Sequence, residues 1–145
     1  MAFIEWNDDY RITFAELDEQ HRQLFDLINK MYEAMMAGRS ERTMTTVVHE
    51  MATMADVLEE LMDYTSYHFL TEENYMVEYA YPEYDVQRTA HGQFIERVEA
   101  FQRDFDNGRA VHSMEIVEFI RDWWLSHILV LDKTLGVFLT EKGLT

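Results

Sequence analysis

The chain has 145 residues, 48% of them hydrophobic and 14% aromatic, which suits a single domain with a substantial buried core. Its 28 acidic and 12 basic residues give a formal charge of -16, which argues against binding to nucleic acid or to an anionic membrane surface. Because cysteine is absent, disulfides and thiolate ligands are excluded, and any metal site must use nitrogen and oxygen donors.

The first predicted helix spans about residues 18–38, after an N-terminal arm of residues 1–17 in which Trp6 is the expected anchor. Asp18 is a suitable N-cap for this helix, and Gly38 is a suitable stop. The side chains that recur at helical spacing, and that should face the core, are His21, Leu24, Phe25, Ile28, Tyr32 and Met35.

The second predicted helix is long, from about residue 41, after a candidate cap at Ser40, to about residue 79. Its expected buried stripe consists of Val47, Met51, Met54, Leu58, Leu61, Thr65, His68 and Glu72. The Tyr81-Pro82 step should separate this helix from the third.

The third predicted helix covers about residues 83–107 and ends at Asn107-Gly108, and the fourth covers about residues 111–132. The third carries a stripe of His91, Phe94, Val98, Phe101 and Phe105. The stripe of the fourth consists of Ile116, Ile120, Trp123, Trp124, His127, Ile128 and Leu131. Since no strand-like alternation occurs and the connections are short, we predict an all-α protein, a single domain over residues 1–145 folded as an up-down-up-down antiparallel four-helix bundle.

His68 and Glu72 are the first candidate metal ligands, because four residues of helix place them on one face. The same spacing occurs by chance on many helices, so the pair alone is weak evidence. However, the other three helices each carry one histidine in an apolar stripe, namely His21, His91 and His127. A bundle would bring all four imidazoles to a shared centre, which is a usual place for a metal in this architecture.

A single histidine in an apolar stripe is more often a hydrogen-bonded core residue than a ligand. One histidine on each of four helices is harder to explain in that way, because buried imidazoles without a common partner would destabilise the fold. His49 precedes His68 by about 28 Å of helix, and we interpret both His49 and His112 as surface residues.

These residues together resemble the bacterial hemerythrins, over essentially the whole chain. The motifs that carry the resemblance are Asp18-Glu19-Gln20-His21 with Leu24-Phe25, His68-Phe69-x-x-Glu72-Glu73, Tyr81-Pro82, His91, and Trp123-x-x-x-His127-Ile128 with Asp132. The resemblance implies two non-haem iron ions (Fe2+/Fe3+) and reversible binding of O2, or of a small anion such as azide. It also implies that residues 123, 124 and 128 lie beside the bound ligand.

The metal ligands that the resemblance implies are His21, His68, Glu72, His91, His127 and Asp132. In the family pattern His21 and His68 hold the iron that binds oxygen, the other two histidines hold the second iron, and the two carboxylates bridge. Asp132 follows His127 by five residues, which turns it about 140° away on a regular helix. A local loosening such as a π-bulge is therefore expected between them.

Three features depart from the family pattern. Gln87 stands four residues before His91, where hemerythrins normally have a fifth histidine. It shares the inward face with His91 and could still offer its amide oxygen to the metal, although that is a weaker donor than imidazole. Occupancy of the second iron site is therefore in question. Trp124 stands where the family usually has a leucine that lines the ligand pocket, and Trp123 is the alternative neighbour of the ligand. The 47-residue step from His21 to His68 is also longer than expected, so the second helix should overhang or the first connection should be structured.

The function that the sequence favours is oxygen storage, delivery or sensing at a di-iron site, rather than catalysis. Two alternatives stay open. Gln87 could open the second iron to peroxidase-like or oxidase-like turnover, or the bundle could be a degenerate one-metal or metal-free interaction module. We expect no partner among nucleic acids or membranes, and we expect a cytoplasmic protein, because the sequence lacks the basic start and apolar run of a signal peptide and any stretch of about 20 apolar residues.

Overall fold

The computed structural model describes the backbone of residues 2–39, 44–106 and 113–145 and the side chains of residues 2–36, 55–104 and 114–145. Most of these residues are helical. The long helices are α1 (Ala15–Arg39), α2 (Met44–Glu78), α3 (Tyr84–Asp106) and α4 (Ser113–His127). A π-helical turn, Ile128–Asp132, joins α4 to α5 (Lys133–Glu141), and a 3₁₀ turn, Asp8–Tyr10, lies in the arm. No strand occurs within these ranges, and the predicted all-α four-helix bundle is confirmed.

Helix α1 begins at Ala15, three residues before the predicted start at Asp18. Asp18 is not its N-cap, because its carboxylate Oδ1 accepts the backbone N–H of Ile12 at 2.8 Å and so holds the preceding arm. Glu16 and Asp18 nevertheless lie in the first turn of the helix, where negative charge is favourable. Asp18 therefore lies at the helix start, but its side-chain partner is in the arm and the predicted capping role is wrong.

The N-terminal arm lies against α1 through both hydrogen bonds and aromatic packing. The Asn29 side chain pairs with the backbone of Ile4 in both directions, at 2.9 and 2.8 Å. The predicted anchor, Trp6, packs edge-on against Phe25 with 5.3 Å between ring centroids. These contacts fix the arm to the same helix that carries His21.

Helix α4 does not end the helical structure, which continues through the π turn to Glu141, well beyond the predicted end near residue 132. The extension is explained by a continued apolar stripe, since Leu135, Gly136 and Leu139 are all buried. Gly136 permits a close approach to the arm, because a Cβ atom there would lie 2.2 Å from the Ile12 carbonyl oxygen. The arm and the end of the chain are therefore packed against each other.

Several features predicted from the sequence lie outside the described residues. These are the Ser40 cap with residues 41–43, the Asn107-Gly108 stop, His112, and the side chains of Val47, His49, Met51, Met54 and Phe105. Within the described residues, the buried face of each helix carries polar side chains among the apolar ones. The polar residues of these faces that are at most 5% exposed are Gln20, His21, Thr65, His68, Glu72, Gln87, His91, His127 and Asp132. No helix in the described ranges is long and apolar enough to cross a membrane.

Candidate metal centre

Every helix of the bundle contributes a side chain to one buried cluster of histidines and carboxylates. Two overlapping groups occur among the described residues, and in each the candidate donor atoms lie within 4.8 Å of one another. The first group is His21, His68, Glu72 and Asp132. The second is Glu72, His91, His127 and Asp132. Each group therefore offers two imidazoles, and both groups share the same two carboxylates.

The π turn explains how Asp132 reaches the cluster. The Lys133 N–H donates to the Ile128 carbonyl oxygen, five residues earlier, which is the widened pattern of a π-helix. Consequently Asp132 faces inward together with His127, although a regular helix would turn it away. Its Oδ1 lies 3.3 Å from His127 Nε2, and its Oδ2 lies 3.1 Å from His21 Nε2. The expected loosening of the helix is present.

Glu72 occupies a similar position between the two groups. Its Oε1 lies 3.0 Å from His68 Nε2 and 3.5 Å from His91 Nε2. The Nε2 atoms of His91 and His127 lie 3.2 Å apart. The same nitrogen of each histidine thus faces the carboxylates, as separate ligands of a shared centre would.

A cation would satisfy atoms that the described protein residues leave unpaired. His68 Nε2, both Glu72 oxygens and Asp132 Oδ2 are buried and make no aligned hydrogen bond, although close neighbours surround them. Buried polar atoms without partners are destabilising and uncommon in folded proteins. Imidazole nitrogens and carboxylate oxygens are suitable donors for iron, so the residues present fit a di-iron centre.

Two residues outside the clusters orient the histidine rings, and sequence reasoning assigned neither of them a role. His68 Nδ1 donates to the Gln20 side-chain oxygen at 2.6 Å, and His91 Nδ1 donates to Glu73 at 2.9 Å. Such partners fix the tautomer so that Nε2 is free to bind a metal. The available signal was adjacency, since Gln20 precedes His21 and Glu73 follows Glu72. That each would contact a histidine of another helix is not evident from the sequence.

Two of the four histidines, His68 and His91, have pKa values shifted in favour of the neutral form. Burial lowers the pKa of His68 well below its ordinary value, and the neighbouring His21 lowers it further. Burial also lowers the pKa of His91, against the opposing effect of its hydrogen bond to Glu73. Neutral imidazole is the form that binds metal ions, so the rings need not lose a proton near neutral pH.

The pKa values of the two carboxylates are shifted in opposite directions. Burial raises the pKa of Glu72 well above its usual range, and the adjacent Asp132 raises it further. Burial alone would also raise the pKa of Asp132, but His127 and His21 beside it hold that pKa well below its ordinary value. Two carboxylates in one dry site resist carrying two charges, and a cation between them would relieve that repulsion.

Gln87 lies at the centre, fully buried, where the family pattern predicts a histidine. Its amide nitrogen donates to Asp132 Oδ1 at 3.0 Å, and its amide oxygen has no partner among the described residues. In this arrangement the amide nitrogen of Gln87 orients a carboxylate, while its amide oxygen is unpaired in the same way as the candidate ligand atoms His68 Nε2 and Asp132 Oδ2.

The two tryptophans pack edge-on against each other, with 5.1 Å between ring centroids, and they differ in their nearest histidines. Trp124 is fully buried, with its ring centroid 5.6 Å from that of His68 and 6.2 Å from that of His21. Trp123 is partly buried and stacks on His127 at 4.4 Å. Trp124 is therefore the indole beside the first group of ligands. The third residue expected near the ligand, at position 128, is fully buried in the π turn.

A surface groove between α2 and α3 reaches the second group. Phe69, Glu73, His91 and Gly92 are among the residues that line it, and its volume is about 410 Å³. Phe69 stacks on the His91 ring at 3.8 Å and separates the groove from the interior. His91 itself is only 2% exposed, so the groove ends at the wall of the centre.

Comparisons with known proteins agree with this geometry. The family model described as the hemerythrin HHE cation binding domain matches residues 13–138. A bacteriohemerythrin of Clostridium acetobutylicum is 29% identical over 129 residues, covering 88% of this chain and 95% of the relative. A bacteriohemerythrin of Methylococcus capsulatus is 28% identical over 138 residues, covering 94% and 96%. The crystal structure of a wild-type hemerythrin superposes with a TM-score of 0.81 at 25% identity, covering 93% of this chain and 96% of the other.

Proposed function

The chain belongs to the hemerythrin family, and from that premise we propose that it binds molecular oxygen reversibly at a centre of two non-haem iron ions. Storage, delivery and sensing of oxygen are all served by such binding. Bound ferrous iron would supply the electrons that reversible oxygen binding requires.

The observation that carries this proposal is the pair of overlapping ligand groups that share Glu72 and Asp132. In our assignment His21 and His68 hold one iron, His91 and His127 hold the other, and the two carboxylates bridge. Each shared carboxylate has oxygen atoms close to histidines of both groups, as bridging requires. The paired imidazoles would bind in their neutral form, with Gln20 and Glu73 fixing two of the rings.

The surrounding side chains keep water away from the reactive position. Trp124 and Ile128 are fully buried, and Phe69 is 3% exposed. A site from which water is excluded favours release of oxygen unchanged, because side reactions that need water are prevented. These residues therefore support reversible binding of oxygen over its turnover.

Iron content per chain tests the ligand assignment. His68→Ala should lose iron because it removes one of only two imidazoles from its group. His49→Ala is the matched control, since it makes the same change on α2, about 28 Å away along the helix, and should retain iron. Equal iron content in the two variants would refute the assignment.

Gln87 favours a second candidate function, the turnover of peroxide or oxygen. Because residue 87 is a glutamine and not a histidine, the second group has only two imidazoles, and a groove approaches that group beside His91. An iron held there would retain a position for an exchangeable ligand. Steady consumption of peroxide by the iron-loaded parent, abolished in Gln87→His, would favour this candidate over the carrier, whereas no consumption would exclude it.

A further inference from the structure

Beside the first ligand group, two side chains that are not themselves candidate ligands carry hydrogen-bond donors without a protein partner. Thr65 and Trp124 are both fully buried, and neither the Thr65 hydroxyl nor the Trp124 indole nitrogen makes a hydrogen bond within the described part of the chain. Buried hydroxyl and indole N–H groups normally find a partner. Two unpaired donors in one region therefore call for an explanation.

Their positions place both donors near His68. Thr65 precedes His68 by three residues on α2, so the two share the buried face. Side chains on a helix lean toward its N-terminus, which directs the His68 ring over the turn that contains Thr65. Trp124 approaches from α4, with its ring 5.6 Å from the His68 ring and 6.2 Å from the His21 ring.

We propose that Thr65 and Trp124 donate hydrogen bonds to a small acceptor ligand held beside His21 and His68. The inference rests on the proposed iron centre, and it adds two residues that determine how strongly that centre retains polar ligands. Molecular oxygen and azide both offer acceptor atoms to an O–H or N–H donor. These two donors would slow the departure of the bound ligand.

If Thr65 were instead a purely structural residue, its replacement would be expected to lower the thermal stability of the protein. Thr65 makes no hydrogen bond back to its own helix, so its hydroxyl adds nothing to the fold that a methyl group would not. Thr65→Val keeps the shape and removes an unpaired buried group, and it should leave the iron-free protein equally or more resistant to thermal unfolding. A residue needed for packing or local hydrogen bonding would instead destabilise the fold when changed.

The test is stopped-flow measurement of azide binding and release by the iron-loaded full chain. Thr65→Val and Trp124→Phe each remove one donor while keeping most of the side-chain volume. We expect azide to dissociate about tenfold faster in each variant, as expected for one hydrogen bond to a charged acceptor. Association should change little, because mutations of this kind act mainly on dissociation.

The controls make the same changes away from the centre. Thr71→Val alters a hydroxyl of α2 that already donates to the Tyr67 carbonyl oxygen. Trp6→Phe removes an indole nitrogen that is also buried and unpaired, but in the arm. Both controls should release azide at the parent rate.

The outcomes separate this inference from the proposed function. A parent that binds iron and azide, with unchanged dissociation in Thr65→Val and Trp124→Phe, would overturn the assignment of the two donors and leave the iron centre standing. A parent that binds neither iron nor azide would overturn the iron centre and this inference with it. Faster dissociation in the two variants but not in the controls would establish the donors.

Discussion

Gln87 is the side chain whose replacement should most alter the retention of metal. Gln87→His would add an imidazole to the second ligand group and remove the amide that is now bonded to Asp132. Changes at or next to metal ligands commonly shift affinity 10- to 100-fold, and we expect tighter retention of about that size. The retention of iron is measured by the rate at which a chelator removes it from the protein.

Gln93→His is the control for that variant, because it makes the same substitution on α3 at an exposed residue. Iron should leave this control at the parent rate. If Gln87→His also lost iron as fast as the parent, the amide at residue 87 would be no deficiency, and the centre would be complete with four imidazoles.

Trp124 should limit the entry of ligands to the first group, since it is fully buried against His21 and His68. Trp124→Leu opens that space, so azide should associate faster. The lost packing should lower the free energy of unfolding by roughly 1–3 kcal/mol, as large-to-small changes in cores do. Stopped-flow association rates and thermal unfolding measure the two effects.

Trp123→Leu provides the comparison, because Trp123 is only partly buried and stacks on His127 of the other group. Acceleration in this variant alone would mean that ligands enter past Trp123. Acceleration in neither variant would remove both indoles from the route of entry.

The contact between the arm and α5 depends on the absence of a side chain at Gly136. In Gly136→Ala the new Cβ would meet the backbone oxygen of Ile12 at 2.2 Å, so the arm must move. Such overpacking should lower the free energy of unfolding by roughly 1–3 kcal/mol, which chemical denaturation measures. Gly92→Ala is the control, since a Cβ there meets nothing within 4 Å and alanine favours a helix. A Gly136→Ala variant as stable as Gly92→Ala would contradict this packing.

Helices α1 and α2 are also joined by Tyr75, whose hydroxyl donates to the Glu16 carboxylate. That hydrogen bond, together with burial, raises the pKa of Tyr75 from 10.0 to about 12. Because the folded-state pKa is raised, the stabilisation is fully present below pH 10 and is lost as the pH rises through about 12. Ultraviolet titration of the parent against Tyr75→Phe should therefore show this tyrosinate forming near pH 12, and formation near pH 10 would contradict the assignment.

Sequence periodicity predicted the bundle as a whole because apolar residues at helical spacing specify which face of each helix is buried. The same periodicity predicted that four histidines face the core, one on each helix, and the structure places these four side chains together. The five-residue step to Asp132 required a widened turn, and the π turn at Ile128–Asp132 supplies it. In each case the relevant information is local in the sequence.

The features that sequence reasoning missed depend on contacts between distant segments. Asp18 was assigned as a cap because its residue type suits a helix start, whereas its actual partner is Ile12 in the arm. Gln20 and Glu73 bond to histidines on other helices, and no spacing within one helix reveals that. The orientation of the Gln87 amide likewise depends on Asp132, which is 45 residues away.

The most direct test of oxygen binding at a di-iron centre combines two measurements on the chain reconstituted with iron under anaerobic conditions. These are the iron content and the absorption spectrum before and after oxygen is admitted. We expect two iron ions per chain, from the two ligand groups that share Glu72 and Asp132. We also expect a charge-transfer band that appears with oxygen and disappears when the oxygen is removed. A chain that takes up no iron, or one whose spectrum is unchanged by oxygen, would contradict the assignment.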